Sequence, residues 1–232
     1  RLVELADRSR KKGEFESAAA YWKVWALLGP SEWKRYEVLG NFYLDYLNDR
    51  ESAIAVFESG SRRVSVDWEA SYLAGRAAMV RKDWDQAAHY YRVAIEQGAS
   101  DGLYYYRLAL ALQELGDFAG VITVCEEATR ISPGFYACYR LLGDVYAGVK
   151  GDTQSAIYWL EMGLEHVTDD SYRSMFYERL GSIYLAGGDL QKAVTYFEQA
   201  IELDSKNAEA LQGLSAALAS MDDVEGGLER KE

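Results

Sequence analysis

Between Ser174 and Asn207 the chain spells out two amphipathic helices and the turn that joins them. Tyr177, Leu180, Gly181 and Tyr184 recur at i, i+3, i+4 and i+7, which places them on one helical face. Gly188 suits the left-handed residue that ends such a helix. Asp189 follows where its carboxylate can accept the orphan N–H groups of the next helix. Leu190, Ala193, Val194, Phe197, Ala200 and Ile201 then continue at the same spacing. Gly181, Ala193 and Ala200 are small where backbones must approach, and Tyr184 and Phe197 fill the remaining space. A lone hairpin of this kind leaves an apolar face in water, and stacking further hairpins covers it.

The same pattern returns at steps of about 34 residues. Residues 1–32 carry Leu2, Leu5 and Ala6, the turn Gly13-Glu14, then Phe15, Ala18, Trp22 and Trp25. Residues 33–67 carry Tyr36, Leu39, Gly40 and Tyr43, a longer turn at Asn48-Asp49, then Ala53, Phe57 and Gly60. The copy at 68–101 departs most. Ser71, Ala74, Gly75 and Ala78 are small where neighbours hold Tyr and Leu, so a shallow spot or pocket is expected there. Residues 102–135 return to form with Tyr105, Leu108, Ala109 and Leu112, the turn Gly116-Asp117, and Val121, Cys125 and Ala128. Residues 136–170 hold Tyr139, Leu142, Gly143 and Tyr146, one extra residue near Gly151-Asp152, then Ala156, Leu160 and Gly163. Both prolines, Pro30 and Pro133, fall in the slot that closes a copy. Residues 208–221 read as a single capping helix with Leu211, Leu214 and Leu218 on one face. Residues 222–232 read as an acidic tail or linker, with a helical extension as the alternative.

A small residue after Leu, an aromatic three later, a Gly-acidic turn, then Ala, an aromatic and Ala resembles the tetratricopeptide repeat (TPR). Six copies in register extend the resemblance over about residues 2 to 221. It implies an all-α, right-handed superhelical solenoid of six helix pairs plus a C-terminal capping helix, with the first helix of each pair lining a concave groove. The function implied is a non-catalytic scaffold or adaptor that binds a peptide or partner domain in that groove.

Carried onto this chain, the groove positions include Asn41, Tyr72, Arg76, Met79, Leu103, Tyr106, Arg107, Leu110, Arg140 and Arg179, with Lys34, Glu37, Glu69, Asp144, Glu178 and Ser182 beside them. Rigid aromatics beside arginine forks suit a partner segment with an acidic group and an apolar anchor. Some family members clamp the C-terminal carboxylate of heat-shock chaperones. Here Asn41 and Arg107 match that pattern, but Glu37, Leu73 and Leu103 stand where it needs Lys, Asn and Lys. A carboxylate facing Glu37 would be repelled, so this clamp is not expected.

Other functions find less support. The only histidines, His89 and His166, lie in different copies and have no Cys or His at a ligand spacing, so neither a metal nor a cofactor is expected. There is no phosphate-cradling glycine loop and no nucleophile elbow. Adjacent carboxylates such as Glu126-Glu127 point about 100° apart on a helix and make no acid–base dyad. No catalytic residue is therefore assigned. The formal charge of −12 disfavours nucleic acid and anionic lipid as partners. No apolar run reaches the roughly 18 residues of a membrane span.

Cys125 falls in a core slot, and a buried free thiol is expected there rather than a disulfide. That leans towards a reducing, cytoplasmic setting, with the periplasm left open. The chain opens on Arg1 without a signal-peptide pattern and is expected to be a segment of a longer protein. Two alternatives to the adaptor stand. Trp22, Trp25 and Trp33 are expected to cluster at an exposed N-terminal end, where they could pack against another copy of the chain. The array could also be the non-catalytic arm of a larger enzyme or of a secretion or polysaccharide-assembly protein.

Overall fold

The computed structural model describes residues 1–29 and 32–229. The closing role expected of Pro30 lies outside them; Pro133 sits in the turn before the next helix, as the spacing requires. The described residues form helices α1 (Leu2–Lys11), α2 (Phe15–Leu28), α3 (Trp33–Leu47), α4 (Arg50–Arg63), α5 (Asp67–Arg81), α6 (Trp84–Glu96), α7 (Gly102–Glu114), α8 (Phe118–Ile131), α9 (Tyr136–Val145), α10 (Thr153–His166), α11 (Asp170–Ala186), α12 (Leu190–Leu203) and α13 (Ala208–Glu229). No strand occurs among them, and none of these helices is long and apolar enough to cross a membrane. The chain divides into two compact units, Arg1–Val124 and the part from Cys125 onward.

Five of the six turns between paired helices share one device, the exception being Gly13-Glu14, where Glu14 makes no side-chain cap. A residue of positive φ ends the first helix, and the next residue, an aspartate, caps the second. Asn48 (φ 49°) precedes Asp49, whose Oδ1 accepts the Ser52 N–H at 2.9 Å. Gly188 (φ 79°) precedes Asp189, which accepts from Lys192 N at 3.2 Å. Gly116-Asp117 and Gly151-Asp152 repeat the arrangement. At Lys82 the left-handed position (φ 62°) is held by a residue with a Cβ, ahead of the cap Asp83. The left-handed conformation costs such a residue about 1–2 kcal/mol, partly offset by the greater unfolded-state entropy of glycine. Lys82→Gly is therefore expected to stabilise the protein by about 0.5–1 kcal/mol, read as a raised urea midpoint at unchanged m.

The extra residue foreseen in the fifth copy is absorbed as a single π-turn, Tyr146–Lys150, between α9 and the Gly151-Asp152 turn. At the C-terminus, α13 runs on to Glu229 rather than ending near residue 221.

Close approach in both units rests on rings seated against glycines. A Cβ on Gly40 would lie 2.3 Å from the Phe57 ring. In the second unit Phe197, fully buried, is flanked by Gly181 and Gly213, where added Cβ atoms would fall 2.8 and 2.3 Å away. Ser174 donates to Ala200 O at 2.8 Å and accepts from Asn207 at 2.9 Å, tying α11 to the end of α12 and the start of α13. Both cysteines are buried and free.

The tryptophans depart from the expectation of an exposed N-terminal cluster. Trp22 and Trp33 are buried. Trp33 packs edge-on against Trp68, Tyr72 and Tyr104, with centroids 5.1–6.1 Å apart. Trp25 lies half-buried against Trp22 and is covered by the Arg35 guanidinium, 4.4 Å from its ring. The three rings pack within the unit, so they do not themselves form an exposed cluster at this end. The shallow spot foreseen in the third copy is present. An open cavity of about 410 Å³ lies among α4, α5 and α6, with Ala74 and Ala78 in its lining.

Candidate functional site

In the first unit the predicted residues converge on Glu37, near the start of α3. Its Oε1 accepts from Tyr72 Oη at 2.5 Å and from Arg76 at 2.6 Å. The second Arg76 nitrogen donates to Asn41 Oδ1, also at 2.6 Å. Arg76 lies 4.7 Å over the Phe57 ring, so the cation is enclosed by an aromatic as well as by its acceptors. Arg107, on α7, approaches the same carboxylate only to 3.9 Å, and its buried Nε has no hydrogen-bond partner.

These contacts correct two expectations. Tyr72 is wholly buried and Arg76 is 5% exposed, so neither lies open to a ligand. Both turn inward, where Glu37 supplies the acceptor that a buried phenol and guanidinium require. Burial raises the Tyr72 pKa; nearby Arg76 opposes the rise and Glu37 adds to it. Tyr91, also wholly buried beside this cluster, leaves its hydroxyl without a partner.

The remaining first-unit residues keep a surface. Leu103, Tyr106, Arg107 and Leu110 are all half-buried on α7. Their i, i+3, i+4 and i+7 spacing makes them one stripe. Asn41 and Met79 are half-buried on α3 and α5.

In the second unit Arg140 donates to Asp144 Oδ2 at 2.8 Å. Arg179 Nε stands 3.5 Å from Asp144 and 3.6 Å from Glu178. Glu178 is 7% exposed and accepts from Ser182 at 3.0 Å. Burial is the main cause of its raised pKa, which Arg179 and Ser182 moderate and Glu209 and Asp144 increase. Both predicted arginines thus face carboxylates of their own chain. His89 and His166 are exposed, and His166 stacks on Tyr139. Among the described residues no group of three or more His, Cys, Asp or Glu is placed to hold a metal ion.

Sequence reasoning named Glu37 only as a groove neighbour and missed its part as the hub. An acidic residue at a groove position, with Tyr and Arg at groove positions of the next copy, was the available signal.

Comparison with known proteins bears on the fold and the family. Models described as tetratricopeptide repeat match residues 43–102, 72–134 and 176–207. The chain is 26% identical over 148 residues to DnaJ homolog subfamily C member 7 of Mus musculus, covering 64% of this chain and 22% of that protein. The chain therefore spans about a fifth of that relative's length. Among solved structures it resembles PilW, a type IV pilus biogenesis factor, with TM-score 0.70 and 16% identity over 92% of this chain and 96% of that one. It also resembles YrrB, a TPR protein with an unusual peptide-binding site, with TM-score 0.55 and 19% identity over 82% and 96%.

Proposed function

The chain belongs to the tetratricopeptide repeat family, and from that premise we propose a non-catalytic interaction scaffold whose first unit holds a partner peptide along α7. The fold is suited to protein–protein interaction, and one structural neighbour is a peptide-binding TPR protein. The observation that carries the reading is the state of Arg107. Tyr72 and Arg76 hold Glu37 in strong hydrogen bonds, while Arg107 stands 3.9 Å from that carboxylate, beyond hydrogen-bond distance, with its side chain 26% exposed. A guanidinium so placed favours a carboxylate arriving from outside. Leu103 and Leu110 flank it for an apolar anchor, with Tyr106 as a rigid contact. Asn41 and Met79 border the stripe. Tyr72 and Arg76 act behind it, by keeping the Glu37 charge from repelling the ligand. In the second unit, Arg140 and Arg179 are held by Asp144 and Glu178, so recognition of an acidic group is assigned to α7 alone.

The test is affinity capture with the immobilised chain and with an Arg107→Gln, Tyr106→Ala variant, quantified by mass spectrometry. Losing a charge-assisted hydrogen bond removes about 1.5–3 kcal/mol, so capture of true partners should fall by about tenfold or more. Equal capture by both proteins would overturn the α7 assignment.

A further inference from the structure

One contact recurs within the helix pairs, and the last helix lacks it. Four first helices carry a buried glycine in the same slot: Gly40, Gly75, Gly143 and Gly181. Each lies under a large side chain from the second helix of its own pair. A Cβ built on them would come within 2.3 Å of Phe57, 2.6 Å of Tyr91, 2.7 Å of Leu160 and 2.8 Å of Phe197 respectively. Around each of these large residues the second helix is small and buried four positions before and three after. The flanking residues are Ala53 and Gly60, Ala87 and Ala94, Ala156 and Gly163, and Ala193 and Ala200.

Helix α13 holds the register of a first helix. Leu211, Leu214, Ser215 and Leu218 lie 34 positions beyond Tyr177, Leu180, Gly181 and Tyr184 of α11. Its inner side packs on α12 through Ala210, Gly213 and Ala217, with Gly213 against the Phe197 ring. The register face stays open. Leu211 and Leu218 are each 46% exposed, and Ser215 is exposed between them. A helix that closes a repeat array is expected to turn a polar face outward, and two leucines at this spacing depart from that. In the preceding copy the chain turns at Gly187-Gly188-Asp189 and lays α12 over the equivalent face. The corresponding Met221, Asp222 and Asp223 remain within α13, so the chain makes no such return there.

We propose that this face of α13 receives an amphipathic helix of a partner protein, built like the second helices of this molecule. One large apolar residue sits over Ser215, between Leu211 and Leu218, with a small residue four positions before it and another three after. Ser215 carries a Cβ, as Ala6 does in the first copy, where Trp22 belongs to the same buried cluster, so such a slot still admits a large occupant. A second copy of this chain fits poorly. Its own open face is also large–small–large, so two such faces would set leucine against leucine and leave a gap between the serines. The contact is apolar and helix on helix, and it does not rest on the acidic-segment recognition assigned to α7.

Selection of helical peptides displayed on phage, with randomised faces, against the whole chain tests this. Enriched sequences should place Phe, Tyr, Trp, Leu or Met with Ala or Gly four residues before and three after. A synthetic peptide of that consensus should lose about tenfold or more in affinity, read by fluorescence anisotropy, for Leu218→Glu and for Ser215→Trp. The first sets a charge in the apolar contact and the second fills the slot. Both side chains are exposed, and an unchanged urea midpoint verifies that the fold is kept. Arg107→Gln should bind the peptide as the parent chain does. Enrichment without that spacing, no enrichment, undiminished affinity in either α13 variant, or a comparable loss in Arg107→Gln would overturn the proposal. So would a concentration-dependent mass that Leu218→Glu abolishes, because a second copy would then be what covers the face.

Discussion

Replacing Glu37 with Ala is expected to destabilise the first unit by about 3–5 kcal/mol, because it leaves the Arg76 cation buried without its counter-charge. Arg76 is 5% exposed, and its other acceptor, Asn41, is neutral. Tyr72 loses its acceptor in the same step, adding a buried, unsatisfied hydroxyl. Five of the six tryptophans lie in the first unit, so intrinsic fluorescence during urea unfolding reads this loss directly. A companion variant tests the cause. Glu37→Met, Tyr72→Phe and Arg76→Met together remove every member that needs a partner, and should restore most of the lost stability. A fall below about 1 kcal/mol for the Ala variant would mean that water reaches the cluster and compensates Arg76.

The second large effect is expected at Phe197→Ala, with a loss of about 3–5 kcal/mol from the second unit. How far a cavity collapses depends on what surrounds it. The neighbours here are Gly181 and Gly213, which have no side chains to swing into the vacated space. Ala193 and Ala200, in the same buried cluster, carry only a methyl group each, and the larger Tyr184 and Leu214 pack at its edge. The loss should therefore sit at the upper end of the range for an aromatic. Amide hydrogen exchange should speed up most in α11, α12 and α13, the helices that the ring joins. Exchange accelerating equally in all helices of the unit would show that the ring is not a local keystone.

The helices and their turns were legible because their determinants are local. Asp49, Asp117, Asp152 and Asp189 each act within three residues of themselves, and the core stripe repeats at a fixed interval. The orientation of Tyr72 and Arg76 was not legible. On a helix packed from two sides the buried arc is wider than one stripe. What holds these two side chains inward is Glu37, 35 and 39 positions away. Periodicity finds which residues share a face, but not which polar residue on another helix will meet them. The same limit applied to Trp33, whose ring contacts lie on α5 and α7. The extra residue in the fifth copy was visible as a length difference. That it would become a π-turn depended on packing. On α7 the predicted stripe of Leu103, Tyr106, Arg107 and Leu110 keeps a partly open surface.

The recurring left-handed residue and aspartate cap also bear on how the protein reaches its fold. Each such turn closes a helical hairpin using groups only a few residues apart, so little loop-closure entropy opposes the first contacts. Low contact order of this kind goes with fast folding. Each hairpin can then serve as a template on which the next one condenses. A chain emerging from the ribosome therefore need not wait for its C-terminal half before its first helices find lasting partners.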